Sequence, residues 1–160
     1  MNNDEPRFLR AALRLAASAL DAGDPPYGSL LVDAAGNVIA EDRNTTSTDR
    51  DITAHPELKL ARWAARHLDP AAARATTMYT SCQPCQMCTG AIARSGLGRV
   101  VYALSTAQAN ALRPTELAAP DDADVAYEGP GLFDEARIPV DDYYRAARTR
   151  PRRRAGPAPA

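Results

Sequence analysis

Three cysteines, Cys82, Cys85 and Cys88, fall within seven residues in the stretch "SCQPCQMC", and the chain has no others. His55, one of only two histidines, stands upstream in "TAHPE". If these two stretches share a metal ion, two remote segments of the chain must converge. Any admissible fold then has to bring the start of one helix to the start of another. An odd, clustered set of cysteines does not suit a small secreted disulfide scaffold, which carries an even and dispersed set. Clustering favours metal binding or redox work in a reducing compartment.

The surrounding pattern says which elements would converge. Asp4, Glu5 and Pro6 read as a helix start. Leu9, Leu13, Ala16 and Leu20 recur at helical spacing up to Gly23. "GSLLVD", "AAGN" and "VIAED" read as strand, turn and hairpin partner, and "RNTTSTDRD" as a polar loop. Pro56 opens a second helix with Leu58, Ala61, Ala65 and Leu68 on one face. "TTMYT" is a third strand, Pro84 to Ser95 a helix stopped by Gly96, and "RVVYAL" a fourth strand. "TAQANAL" reads as a short helix, "DVAYEG" as a weak fifth strand, and 132–148 as a helix broken near Pro139. Strands alternating with helices imply an α/β layered domain with a mixed sheet. One domain over 1–149 is expected, with a disordered basic tail over 150–160.

With 160 residues the chain is long enough for a proper core, and its net charge of −1 offers no broad field for nucleic acid or membrane. Six arginines, Arg145, Arg148, Arg150, Arg152, Arg153 and Arg154, crowd the C-terminal end. They can be read as a grip on a phosphate backbone or as a solvated tail; the near-neutral whole favours the tail. Neither a signal peptide nor an apolar run of ~18 residues is visible, so the cytoplasm is the expected location.

Cys85 and Cys88 lie three apart at a predicted helix start, which puts both sulfurs on one face. The positive end of the helix favours thiolates. Two thiolates and one imidazole form a ligand set for catalytic zinc, with the fourth position left to water. Bound zinc brings the pKa of such a water to around 7. Glu57, two residues past His55, can move a proton without ligating the metal. Two alternatives remain open on spacing alone. Cys82 can close a structural Cys₃His site, which would leave Glu57 without a role. Cys85 and Cys88 can also be a redox pair.

His55-Pro56-Glu57 followed by Pro84-Cys85-Gln86-Met87-Cys88 is the signature of the zinc deaminases. With "DPPYGSLLV", the stretch from Asn44 to His55, and "MYTSCQPCQMCTGAIARSGLGRVVYAL", the chain over about residues 7–104 resembles the cytidine deaminase-like superfamily. It is most similar there to the branch of guanine deaminases, fungal-type cytosine deaminases and tRNA adenosine deaminases. The resemblance implies a three-layer α/β/α fold with a five-stranded mixed sheet, in dimers or larger oligomers. It implies one zinc per chain on His55, Cys85 and Cys88 with a bound water or hydroxide, and Glu57 as the proton shuttle. Asn44 would hydrogen-bond the substrate, and the backbone carbonyl around Gln83 would face the leaving amino group. Pro56 stands where relatives carry alanine or glycine and lacks the N–H that can meet a substrate oxygen. The implied substrate is a small heteroaromatic amine, a nucleobase or nucleoside. Guanine leads, cytosine or cytidine follows, and tRNA adenosine is third. A catalytically silent zinc-binding scaffold is the alternative from another class.

Overall fold

A computed structural model describes residues 5–114 and 126–149. Of these, 5–114 fall in one compact unit and 126–149 in a second. The first unit runs α1 (Glu5–Asp21), β1 (Gly28–Val32), β2 (Val38–Arg43), α2 (Thr46–Asp49), α3 (Pro56–His67), α4 (Pro70–Ala75), β3 (Thr77–Cys82), α5 (Gln86–Ser95), β4 (Arg99–Leu104) and α6 (Thr106–Ala111). The second contains α7 (Phe133–Thr149).

Among the described residues the sheet has four strands in the order β2-β1-β3-β4, where five were expected. The "DVAYEG" stretch lies partly outside the described residues, and 126–129 carry no strand. The expected tail over 150–160 also lies outside them. The sheet is mixed. β1 pairs antiparallel with β2 and β3, whereas β3 and β4 are parallel and joined through α5. A parallel pair needs such a crossover, and the helix supplies it.

Every residue of β1 is buried, because both faces of the strand are covered. Leu30, Val32 and Tyr79 pack with Phe8 and Ala12 of α1 on one side. Leu31 and Met78 pack with Leu60, Ala61 and Ala64 of α3 and Ile92 of α5 on the other. The expected layering of helices on both faces is therefore present.

The buried faces of the helices differ from those the apolar spacing suggests. In α1 the inner residues are Glu5, Phe8, Ala12, Ala16 and Ala19, while Leu13 and Leu20 are exposed. The cause is close approach. A Cβ on Gly28 would lie 2.6 Å from the Ala12 carbonyl oxygen and 2.6 Å from the Ala16 nitrogen. At that separation only small side chains fit between helix and strand. In α3 the inner face is Pro56, Glu57, Leu60, Ala61 and Ala64, with Ala65 exposed. The helix is rotated because Glu57 turns inward with Leu60, Ala61 and Ala64.

Two short helices were not foreseen. α2 lies inside the stretch read as loop, and α4 is capped by Asp69, whose side chain accepts from the amides of Ala71 and Ala72. In the second unit, α7 continues through Pro139 where a break was expected. Tyr143 and Tyr144 of α7 are exposed and meet edge to face.

Gly28→Ala places a methyl group against backbone rather than against a mobile side-chain end. It is expected to lower stability by about 1–3 kcal/mol, the usual cost of overpacking. Urea unfolding measures this, and an unchanged midpoint would contradict the close packing of α1 on β1.

Candidate metal centre and active site

Two helix starts meet on the α3/α5 face of the sheet. His55 is the residue before the first turn of α3, and Pro56 takes the first helical position, where a missing N–H costs nothing. Cys85 occupies the equivalent place before α5, and Cys88 lies one turn in, fully buried. Nδ1 of His55 is 3.8 Å from Sγ of Cys85 and 3.6 Å from Sγ of Cys88. All three ligand atoms lie within 4.8 Å of one another.

These distances fit zinc. Tetrahedral bonds of about 2.3 Å to sulfur and 2.0–2.1 Å to nitrogen place N and S about 3.6 Å apart. Cys82, although buried, is not a member of this cluster. Among the described residues three candidate ligands meet, a number that would leave one position of a tetrahedral site open, as in catalytic rather than structural zinc sites.

The charge states suit a cation as well. The Cys88 thiol shared with Cys85, and then His55, hold Cys85 as a thiolate, with its pKa lowered to about 3. The same shared proton, together with burial, pushes Cys88 well above the usual thiol range. A dication between the two sulfurs would take the place of that proton.

Glu57 stands beside the cluster and outside it. Its Oε2 is 3.8 Å from the Cys88 sulfur, and its Oε1 accepts a 2.8 Å hydrogen bond from the Thr80 hydroxyl. The residue is 5% exposed, and burial pushes its carboxyl up from the ordinary range. Its own backbone amide, Thr80 and His55 draw it part-way back.

Asn44 is buried next to α2. Its Oδ1 accepts from both the amide and the hydroxyl of Thr46, at 2.9 and 2.8 Å. Asp24 holds the same turn from below, accepting from the amides of Ser47 and Thr48 and the hydroxyl of Thr48. These bonds hold the Asp24 carboxyl below its ordinary pKa. The loop carrying Asn44 is thus tied to the segment between α1 and β1.

Gln83 is exposed. Its amide donates to the Leu104 carbonyl and its Oε1 accepts from the Thr106 amide. Its side chain therefore anchors the start of α6. His67 is exposed at the end of α3, bonded to the Trp63 carbonyl and stacked on the Trp63 ring.

Thr80, Ser29, Thr46 and Asp24 were not singled out from sequence. One signal was available for the first two. In the pairing of β1 with β3, Ser29 faces Thr80 two places from the apolar pair Leu31 and Met78 on the same face. A polar pair in a buried row points to a polar partner above it.

Residues 2–104 match the family defined by the cytidine and deoxycytidylate deaminase zinc-binding region. A tRNA-specific adenosine deaminase of Haemophilus influenzae is 36% identical over 106 residues, covering 66% of this chain and 61% of that protein. The guanine deaminase of Bacillus subtilis is 39% identical over 97 residues, 60% of this chain and 62% of that protein. A probable cytosine deaminase of Schizosaccharomyces pombe is 38% identical over 101 residues, 61% of this chain and 59% of that protein. The chain thus spans about three fifths of the length of these curated relatives. Among solved structures, the Bacillus subtilis guanine deaminase superimposes with a TM-score of 0.68 at 27% identity, covering 97% of this chain and 99% of that one. A structure from work on A-to-I editing by tRNA:A34 deaminases gives 0.56 at 31% identity, covering 64% and 78%.

Cys85→Ser and Cys88→Ser are expected to reduce bound zinc at least ~10-fold, because each removes a thiolate from a site with only three protein ligands. Cys82→Ser is expected to keep it. Metal analysis of the purified variants decides. Full occupancy in both ligand variants, or loss in Cys82→Ser, would contradict the three-ligand site.

Proposed function

The chain belongs to the cytidine and deoxycytidylate deaminase family, and from that premise we propose that it hydrolyses an exocyclic amino group from a free nucleobase, guanine foremost. The observation that carries this reading is Glu57, a buried carboxylate beside the His55/Cys85/Cys88 cluster that is not part of it. A structural zinc site has no use for such a group.

In this reading His55, Cys85 and Cys88 hold zinc. When bound, zinc supplies a water made acidic enough to lose a proton near neutral pH. Glu57 takes one proton of the attacking water and passes it to the ring nitrogen next to the reacting carbon, then carries the second proton of the same oxygen to the amino group, which leaves as ammonia. The C–N bond breaks, a C–O bond forms from water, and the product carries a carbonyl where the amine was. Burial of Glu57 supports the role, since a raised carboxyl pKa brings it closer to the operating pH.

Asn44 recognises the ring. Because Thr46 occupies its Oδ1, the capacity left to Asn44 is that of a donor through Nδ2. It therefore selects an acceptor, a ring nitrogen or a carbonyl oxygen. Pro56, buried between His55 and Glu57, offers no N–H at its edge of the site. The backbone carbonyl near Gln83 faces the leaving amine in the same arrangement.

Guanine is favoured over tRNA by the near-complete overlap with a guanine deaminase structure, against partial overlap with a tRNA deaminase structure. The net charge of −1 points the same way. Cytosine is the second reading, supported by the probable cytosine deaminase among the relatives. A homodimer, which the family resemblance implies, and a reducing compartment such as the cytoplasm, which the clustered cysteines favour, belong to the same proposal. Among the described residues no helix is long and apolar enough to cross a membrane.

Ammonia release from guanine, cytosine, cytidine and tRNA by zinc-loaded protein tests the reading. Guanine is expected to turn over fastest, and Glu57→Gln to keep zinc while losing ~10²–10⁴-fold in kcat. Turnover of tRNA alone would replace the substrate assignment. Full activity of Glu57→Gln would remove Glu57 as the proton carrier, and silence on the whole panel would leave the scaffold.

A further inference from the structure

The carboxylate of Glu57 rests on a chain of hydroxyls that runs into the sheet. Ser29 and Thr80 are both completely buried and face each other across β1 and β3, with their oxygens 2.8 Å apart. Thr80 Oγ1 is in turn 2.8 Å from Oε1 of Glu57, and 3.5 Å from the Gly28 carbonyl oxygen.

The direction of the chain follows from donor counting. An ionised carboxylate only accepts, so the single Thr80 proton points at Glu57. Thr80 then has none left for Ser29, and the Ser29 hydroxyl donates to Thr80. The longer approach to the Gly28 carbonyl competes poorly at that distance. Each hydroxyl is thereby committed, and the two carboxylate oxygens become unlike. Oε1 is occupied by Thr80, while Oε2 is the oxygen turned to Cys88 and the metal cluster.

We propose that Thr80, oriented by Ser29, is a positioning residue that fixes the carboxylate plane of Glu57 and leaves Oε2 as the oxygen that carries the proton. The proposal rests on the reading of Glu57 as proton carrier. Without the bond, the carboxylate can rotate about its terminal torsion, which has a broad minimum. Such a group would spend less time in the productive orientation, and the loss would fall on turnover rather than on binding of the base.

Thr80→Val removes the hydroxyl while keeping a β-branched side chain of nearly the same volume. Hydrogen bonds to charged groups and loss of orientation together predict a drop in kcat of about 10-fold or more. KM is expected to stay within about twofold, and zinc content unchanged. Thr80→Ser restores the hydroxyl and is expected to recover most of the rate. The assay is ammonia release from whichever of guanine, cytosine, cytidine or tRNA turns over. A crystal structure of Thr80→Val gives a readout independent of turnover, with the Glu57 carboxylate rotated from its wild-type plane. Should that variant fold poorly because Ser29 is left unpaired, Ser29→Ala with Thr80→Val removes both hydroxyls and takes its place.

Wild-type kcat in Thr80→Val, equal impairment in Thr80→Ser, or an unmoved carboxylate would each overturn the positioning role. Those outcomes differ from failure of the underlying reading. There, Glu57→Gln would itself remain active, whereas here Glu57→Gln is inactive and only the Thr80 variants behave as wild type.

Discussion

A buried carboxylate is costly unless its oxygens are met by donors. Glu57 is such a group, and the organisation of the α3 face follows from meeting its needs. The Thr80 hydroxyl supplies one donor from the sheet and the backbone supplies another. That places a polar pair, Ser29 and Thr80, in a row otherwise built from Leu31 and Met78. It also sets the rotation of α3, since turning Glu57 inward carries Leu60, Ala61 and Ala64 onto the sheet with it.

The metal cluster depends on the same junction. α3 and α5 pack on one face, and each begins where its preceding segment delivers a member of the cluster, His55 to one and Cys85 to the other. The crossover from β3 through α5 to β4 fixes the second start, and the parallel pairing of β3 with β4 fixes the crossover. On the opposite face, α1 approaches β1 so closely that Gly28 and a row of alanines are required. Asp24, just past α1, then holds the turn carrying Asn44. The sheet is thus the common support for the His55/Cys85/Cys88 cluster, the carboxylate and the loop carrying Asn44.

Local chemistry was the most legible part of the sequence. The spacing of Cys85 and Cys88, and the motif joining His55 to Glu57, named residues that the structure brings within reach of one another, because geometry at a helix start is set within a few residues. The strands β1 to β4 and the helices around them were legible for the same reason, with Gly96 and Pro56 marking ends. What depends on contact between remote elements was not. Leu13 and Leu20 look like core residues until Gly28 shows how near the strand comes. Thr80 reads as an ordinary β-branched strand residue until Glu57 is found above it. α4 was missed although Asp69-Pro70 is a helix start by composition, because the segment that follows is nearly all alanine and shows no apolar periodicity.

The central claim is an open metal site of three protein ligands beside a buried carboxylate, and X-ray absorption at the zinc edge of the purified protein tests it most directly. The predicted spectrum is that of four-coordinate zinc with two sulfurs at about 2.3 Å and two nitrogen or oxygen neighbours at about 2.0–2.1 Å, one from His55 and one from solvent. Three sulfur neighbours would contradict it, since Cys82 would then close the site and Glu57 would have no water to act upon.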